Sequence, residues 1–153
     1  MSVTISFTQV TPEQLDKAAA DPDWAWDLLG ELATTPPDGS LDKTWPGVEF
    51  LLERCDIYLD LLMDGVSIDD DGNLFAWDVD QVARTAGTLA ATTWDQLAAH
   101  FDPAAMSAEK IYPSLHLWDH DDLDYLKFGY ETLTTFFTTT AKAHAAALMC
   151  FTF

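Results

Sequence analysis

N-capping signals for helices recur along this chain, and they constrain its fold more than any other feature of the sequence. Thr11 to Gln14 and Thr93 to Gln96 each have the form of a capping box, in which a threonine hydroxyl and a glutamine side chain bind free backbone amides of a helix. Further starts, each with an aspartate at the N-cap, are predicted at Asp21-Pro22, Asp78 to Gln81 and Asp102-Pro103. The chain is therefore expected to form several separate helices.

Strand-forming stretches lie at both ends of the chain and in its middle. Val3, Ile5 and Phe7 alternate with threonine and serine, which is the period of a strand with one buried face. Residues 147–153, ALMCFTF, form a short apolar run that predicts a buried closing strand. Residues 66–77, VSIDDDGNLFAW, have two β-prone runs around an Asp-Gly turn and predict a hairpin.

These signals together predict an α+β fold. We expect a single compact domain over residues 1–153, in which several helices pack on a small sheet that includes the N-terminal and C-terminal strands. A chain of 153 residues with 48% hydrophobic content is long and apolar enough to bury a real core. It contains no internal repeat and no interdomain linker.

Two longer helices are predicted from apolar residues at helical spacing. The first begins near Trp45, because Pro46 suits only a first helical turn, and it ends near Gly65. Its apolar face is formed by Trp45, Val48, Leu52, Cys55, Leu59 and Leu62, with Asp56, Asp60 and Asp64 as an acidic stripe on another side. Residues 34–40 are expected to be a loop, followed by a turn at Leu41 to Thr44. The second helix begins near Asp121 and is marked by Leu123, Leu126, Tyr130, Leu133 and Phe137.

The charge of the chain restricts its partners. There are 26 acidic and 7 basic residues, which gives a formal net charge of -19. Such a chain repels phosphate backbones and anionic lipid heads, so nucleic acids and membrane surfaces are disfavoured as partners. A basic protein is the partner that this charge favours.

A cytoplasmic location is expected from the absence of targeting features. The N-terminal sequence MSVTISFTQV lacks the basic and apolar regions of a signal peptide, and no run of about 18 apolar residues predicts a membrane span. Cys55 and Cys150 are then expected to be reduced thiols rather than a disulfide.

Two stretches have some character of a metal site. Ser67 to Asp78 aligns with a calcium-binding loop at Asp69, Asp71 and Asp78, but ordinary turn chemistry explains the same residues better. His116 and His120 are four residues apart among aspartates, and an acidic helix start explains that cluster better than a metal. We predict no metal and no cofactor from either stretch.

Catalytic motifs are missing from the sequence. It contains no nucleophile elbow, no Cys-x-x-Cys pair, no His-Glu-x-x-His pair and no glycine-rich phosphate loop. We therefore assign no catalytic residue, and an enzyme is the less favoured expectation.

The connecting segment from Phe101 to Trp118 is unusual in its aromatic residues and prolines. Tyr112 precedes Pro113, so it is expected to be extended rather than helical. Segments of this composition either carry function or cap a core, and capping is the interpretation we favour.

Two motifs resemble one bacterial family. FDPAAMSAEKIYP, residues 101–113, and SLDKTWPGVEFLL, residues 40–52, together resemble the YfbM-like family, a domain of unknown function. The matching positions are Asp42, Lys43, Trp45, Asp102, Pro103, Met106, Tyr112 and Pro113. The resemblance implies a compact α+β domain but no activity, substrate or cofactor. Family members commonly have histidines where this chain has Pro46 and Glu49, so any role of those histidines is lost here.

Two functions are consistent with these observations. The favoured one is a soluble, acidic, non-enzymatic interaction protein with a basic protein partner. The alternative is a small-ligand binder or an enzyme whose pocket is walled by Trp45, Tyr112 and Trp118. Its polar groups would be Asp42, Lys43 and Asp102.

Overall fold

The two ends of the chain form the centre of the sheet. In the computed structural model, which describes residues 3–113 and 117–152, strand β1 (Thr4–Val10) pairs antiparallel with the last strand along its whole length. The other strands in chain order are β2 (Gly39–Asp42), β3 (Val66–Ser67), β4 (Leu74–Trp77) and β5 (Ala146–Thr152). Their order across the sheet is β2-β1-β5-β4-β3, and every pair is antiparallel. The predicted terminal strands and the predicted hairpin are confirmed.

Helices occupy most of the remaining described chain. They are α1 (Pro12–Ala20), α2 (Pro22–Glu31), α3 (Trp45–Arg54), α4 (Val79–Ala90), α5 (Trp94–Ala98), α6 (Pro103–Ala108) and α7 (Asp122–Lys142). Thr11 and Thr93 form the two predicted capping boxes. Asp21, Asp78 and Asp102 each accept a hydrogen bond from a backbone amide in the first turn of the following helix, so all five predicted starts are confirmed.

The sheet has a hydrophobic core on each face. On the first face, the ring of Phe7 lies 5.3 Å from that of Trp77 and 5.1 Å from that of Phe137 in α7. On the second face, Val10, Leu74, Ala146 and Leu148 pack against α1 and α2. The predicted α+β class, with helices packed on a sheet that contains both terminal strands, is therefore confirmed.

The prediction of one helix from Trp45 to Gly65 was wrong. Helix α3 ends at Arg54, and Asp56 has a left-handed backbone with φ of 60°. Beyond it, the Asp60 carboxylate accepts from the N–H groups of Leu62 and Met63, so side chains rather than carbonyls bind these amides. The predicted acidic stripe therefore lies on a turn-rich segment and not on a helix.

The predicted turn at Leu41 to Thr44 was also wrong in part, because β2 covers Leu41 and Asp42. Its first residue, Gly39, lies so close to β1 that an added Cβ would collide with the carbonyl oxygen of Phe7. Only glycine allows this approach of the two strands. The pairing of β2 therefore depends on the contact of Gly39 with Phe7, which is distant in sequence.

Candidate functional site

The predicted aromatic pocket holds the start of β1. The Tyr112 hydroxyl accepts a hydrogen bond from the Val3 N–H at 2.6 Å. The Trp45 Nε1 donates to the Val3 carbonyl oxygen at 3.2 Å. The two side chains are therefore brought together, and both bind the main chain of one residue.

Trp118, the third predicted wall, is buried, with 6% of its surface exposed. Its Nε1 donates to the carbonyl oxygen of Ile111 at 3.0 Å, and its backbone N–H donates to Ser107 Oγ at 3.0 Å. Met106 of α6 is fully buried in the same core cluster. In the described part of the segment Phe101 to Trp118, these residues cover the core.

A small cavity lies beside Trp118. Its volume is about 130 Å³, and it is lined by Lys43, Pro113, Trp118, Asp122 and Tyr125. Of the six predicted residues, Lys43 and Trp118 are brought together here. Small-molecule sites typically measure about 300–1,000 Å³, so this cavity is smaller than a typical ligand site.

Asp42 is connected to that cavity through Tyr125, a residue that the sequence did not single out. The Tyr125 hydroxyl donates to Asp42 Oδ2 at 3.1 Å. Burial, and then the Asp42 carboxylate, raise the pKa of Tyr125 to about 12. The tyrosine hydroxyl therefore remains protonated and acts as a hydrogen-bond donor at neutral pH.

Asp102 is not brought to the other predicted residues. Its carboxylate accepts from the Ala105 N–H at 3.0 Å and caps α6. It lines a separate recess of about 600 Å³ with Arg54, His100 and His120. The His116 and His120 pair cannot be described, because His116 lies outside the described residues.

The calcium-loop candidate has the geometry of a turn. Asp69 Oδ1 accepts from the N–H groups of Asn73 and Leu74, at 3.0 and 3.1 Å. Asp78 accepts from Gln81 at the start of α4. Within residues 3–113 and 117–152, no group of three or more histidine, cysteine or acidic side chains is arranged to hold a metal ion.

Neither cysteine has the setting of a reactive thiol. Burial, and then the negative charge of Asp69, raise the pKa of Cys150 to about 11. Burial, and then Asp56, raise the pKa of Cys55 as well. Because the thiolate is the nucleophile, both cysteines are weak nucleophiles at neutral pH.

An acidic recess that the sequence did not locate lies beyond the end of α3. Its volume is about 410 Å³, and its lining residues are Glu49, Glu53, Ile57, Tyr58, Leu59, Asp60 and Asp64. Glu49 is the most buried of the four carboxylates, and its Oε1 accepts from the Leu61 N–H at 2.9 Å. Burial is the main cause that raises the pKa of Glu49 to about 7. The negative charges of Asp60, Asp64 and Glu53 raise it further.

A groove, which the sequence also did not locate, lies on the second face of the sheet. It has a volume of about 700 Å³ and lies between β1, β2 and the segment that runs from Trp26 in α2 to Asp38. We call it the sheet groove. Ser6, Thr8, Ser40 and Cys150 lie on its sheet side.

The fold defines an α+β protein in which helices pack on both faces of an antiparallel sheet, with several recesses on its described surface. Residues 1–150 match the family described as a domain of unknown function, DUF1877, and the chain belongs to that family. The predicted YfbM-like resemblance is confirmed by a solved structure, described as a protein of unknown function, YfbM, from Escherichia coli. The match has a TM-score of 0.73 and 17% identity, and it covers 97% of this chain and 99% of that chain.

At that identity, the likeness shows the fold alone. No curated protein matches this chain. Neither the family nor the solved structure has an established activity. Along the described chain, no helix is both long enough and apolar enough to cross a membrane.

Proposed function

We propose that this chain is a non-enzymatic interaction protein that binds a basic protein partner at the acidic recess. The observation that carries the proposal is Tyr58, which is 77% exposed and lies among four carboxylates of one recess. Tyrosine is enriched among residues that dominate binding energy at protein interfaces. An exposed aromatic ring surrounded by carboxylates suits a lysine or arginine of a partner.

The charges of the recess favour such a side chain in two ways. Its lining in the described chain contains no lysine or arginine, so no cation in the lining offsets the repulsion among its acidic groups. An incoming cation relieves that repulsion, and its aliphatic stem and charge can both contact the ring of Tyr58. The net charge of -19 adds steering of a basic partner over longer distances.

The same segment exposes further apolar surface. Met63 is 62% exposed and Val66 is 67% exposed, close along the chain to the recess. Contiguous apolar patches rimmed by polar groups are typical of protein interaction sites, and we propose that these two side chains belong to the same partner-binding surface as Tyr58. A partner with basic and apolar side chains on one surface therefore fits this segment best.

The alternative small-ligand pocket has less support. Trp45 and Tyr112 are occupied by Val3, and the cavity beside Trp118 measures only about 130 Å³. We retain the cytoplasmic location as part of the proposal, on the sequence grounds above, and imaging of a tagged chain would test it.

Affinity capture with matched variants tests the proposal. Wild-type protein is expected to retain a basic partner from a native lysate, and raised salt should weaken retention because it screens charge. Glu53→Lys and Tyr58→Ala are expected to abolish retention. Asp16→Lys makes the same charge change as Glu53→Lys on the exposed surface of α1 and should leave retention intact. Recovery of no stoichiometric partner, or equal retention by all variants, would contradict the proposal.

A further inference from the structure

The sheet groove has a polar side made by one row of small side chains across three strands. In the strand register, Ser6 of β1 lies opposite Ser40 of β2 and also opposite Cys150 of β5. Directly opposed residues of neighbouring strands point to the same face of a sheet. Thr8, two residues from Ser6, points to that face too. The hydroxyls of Ser6, Thr8 and Ser40 make no side-chain hydrogen bond to the rest of the described chain, so they are available to a ligand.

The opposite side of the groove is largely apolar. It is formed by α2 and the segment after it, with Trp26, Leu29, Leu32, Pro36 and Pro37 among its lining residues. Trp26 is 39% exposed, which is unusual for the largest apolar side chain. The groove thus places hydroxyls on one side and flat apolar surface on the other, within the volume range of small-molecule sites.

Its electrostatic character is negative. Asp38 is the one carboxylate among the lining residues, and within the described chain no lysine, arginine or histidine lines the groove. Asp38 Oδ1 accepts from the Ser40 N–H at 2.9 Å. This bond holds the carboxylate at the β2 end of the hydroxyl row, by which we mean Ser40, Ser6 and Thr8. Its second oxygen has no partner in the described chain. With a net charge of -19 around it, the groove disfavours anions.

We propose that the sheet groove binds a small organic cation with a flat apolar body, such as a protonated arylalkylamine. The ammonium group donates to Asp38 and to the hydroxyls of Ser6 and Ser40. The apolar body lies against Trp26 and the prolines, where the indole ring also attracts positive charge. This site is separate from the acidic recess and independent of the partner proposed there.

Three fragments of matched size test the proposal: phenethylamine as the cation, 2-phenylethanol as the neutral analogue and 3-phenylpropionate as the anion. They are titrated into ¹⁵N-labelled protein, and amide and indole N–H shifts are followed. Phenethylamine is expected to give saturable shifts at Trp26, Ser6 and Ser40. We expect its binding to be at least fivefold tighter than that of 2-phenylethanol, and 3-phenylpropionate should give no saturable shift there.

Two variants locate the contacts. Trp26→Ala removes the indole from an exposed helix surface and should weaken phenethylamine binding by roughly three- to thirtyfold, the range expected for a cation–π contact. Asp38→Asn keeps an oxygen to accept from the Ser40 N–H but removes the charge, so it should abolish the preference for phenethylamine over 2-phenylethanol. Tyr58→Ala, in the acidic recess, is the control. It should change neither the affinity for phenethylamine nor the preference for it over 2-phenylethanol.

Each contrary result overturns the inference. Equal binding of all three fragments would show a groove without charge selectivity. Tighter binding of the anion would show that the groove selects anions rather than cations. Saturable shifts confined to the acidic recess would place the cation site elsewhere. Unchanged phenethylamine binding in Trp26→Ala, with the fold intact in the same spectra, would remove the groove as the site.

Discussion

Tyr112 and Trp45 hold the same residue from its two sides, because the Tyr112 hydroxyl accepts from the Val3 N–H and the Trp45 Nε1 donates to the Val3 carbonyl oxygen. The two side chains come from different parts of the chain, because Trp45 is the first residue of α3 and Tyr112 follows α6. Together they fix the start of β1, the strand that pairs with both β2 and β5. The relationship gives these family-matching residues a structural role.

Tyr112→Phe should therefore loosen the start of β1. The Val3 N–H loses its acceptor in a partly buried place, which should lower the free energy of unfolding by about 1 kcal/mol in urea. Hydrogen exchange at the Val3 amide should become faster, while exchange in the centre of β5 should change only with global stability. Tyr58→Phe, at an exposed position, is the control. Unchanged exchange at Val3 would show that the hydrogen bond is absent in solution.

Glu49 should make stability depend on pH. Its pKa is about 7 in the folded chain and 4.5 without the fold, so between these values the folded state binds more protons. The free energy of unfolding must then fall as pH rises from 4.5 to 7, and this contribution stays constant above that. Glu49→Gln keeps an oxygen for the Leu61 N–H and removes the buried charge. The free energy of unfolding of this variant should match that of wild type near pH 4.5 and exceed it by about 1–3 kcal/mol at pH 8.

Urea unfolding at pH values between these limits measures the effect. Glu31→Gln removes a carboxylate at the exposed end of α2 and serves as the control, which should keep the wild-type pH dependence. A Glu49→Gln curve parallel to that of wild type would contradict a raised pKa at this position.

Local signals predicted the local parts of the fold. Capping residues such as Thr11 and Asp78 act within one helical turn, and the alternation at Ile5 and Phe7 directly reflects one buried face. The end of α3 was missed because Leu59 and Leu62 continue the helical period, while aspartate side chains bind the amides that the helix would need. Periodicity cannot distinguish a continued helix from a segment of such turns, since both leave apolar residues at similar spacing.

The surface features depend on contacts that no local pattern encodes. Trp45 and Tyr112 were expected to wall one pocket, but their shared partner is main chain at the other end of the sequence. The hydroxyl row of the sheet groove exists only because β2 and β5 both pair with β1 in a particular register. Strand register over such sequence separations follows from the packed core as a whole, and for this reason the groove could not be foreseen.

Two glycines in helices should respond to alanine in opposite directions. At Gly129 in α7, an added Cβ would collide with the side chain of Thr44, which is itself buried. Gly129→Ala should therefore destabilise the protein by about 1–3 kcal/mol, as overpacking of a filled site does. Gly87 in α4 is exposed and has no atom near an added Cβ, so Gly87→Ala should stabilise by about 0.5–1 kcal/mol through helix propensity. Urea unfolding of the two variants measures both effects, and equal signs would contradict the close approach of α7 to Thr44.

Cys150 should react slowly with thiol reagents although it lines an open groove. Its pKa is about 11 against an ordinary value of 9.0, so at neutral pH its thiolate fraction is lowered by roughly 100-fold. In a Cys55→Ser variant, Cys150 is the single thiol. Its reaction with a disulfide reagent at pH 7.5 should be about 10- to 100-fold slower than in the same chain unfolded in guanidinium, because the higher nucleophilicity of a high-pKa thiolate offsets part of the loss. The rate should rise tenfold per pH unit as the thiolate forms. A native rate within a factor of about three of the unfolded rate would mean that burial does not protect this thiol, and the sheet groove would then contain a nucleophile.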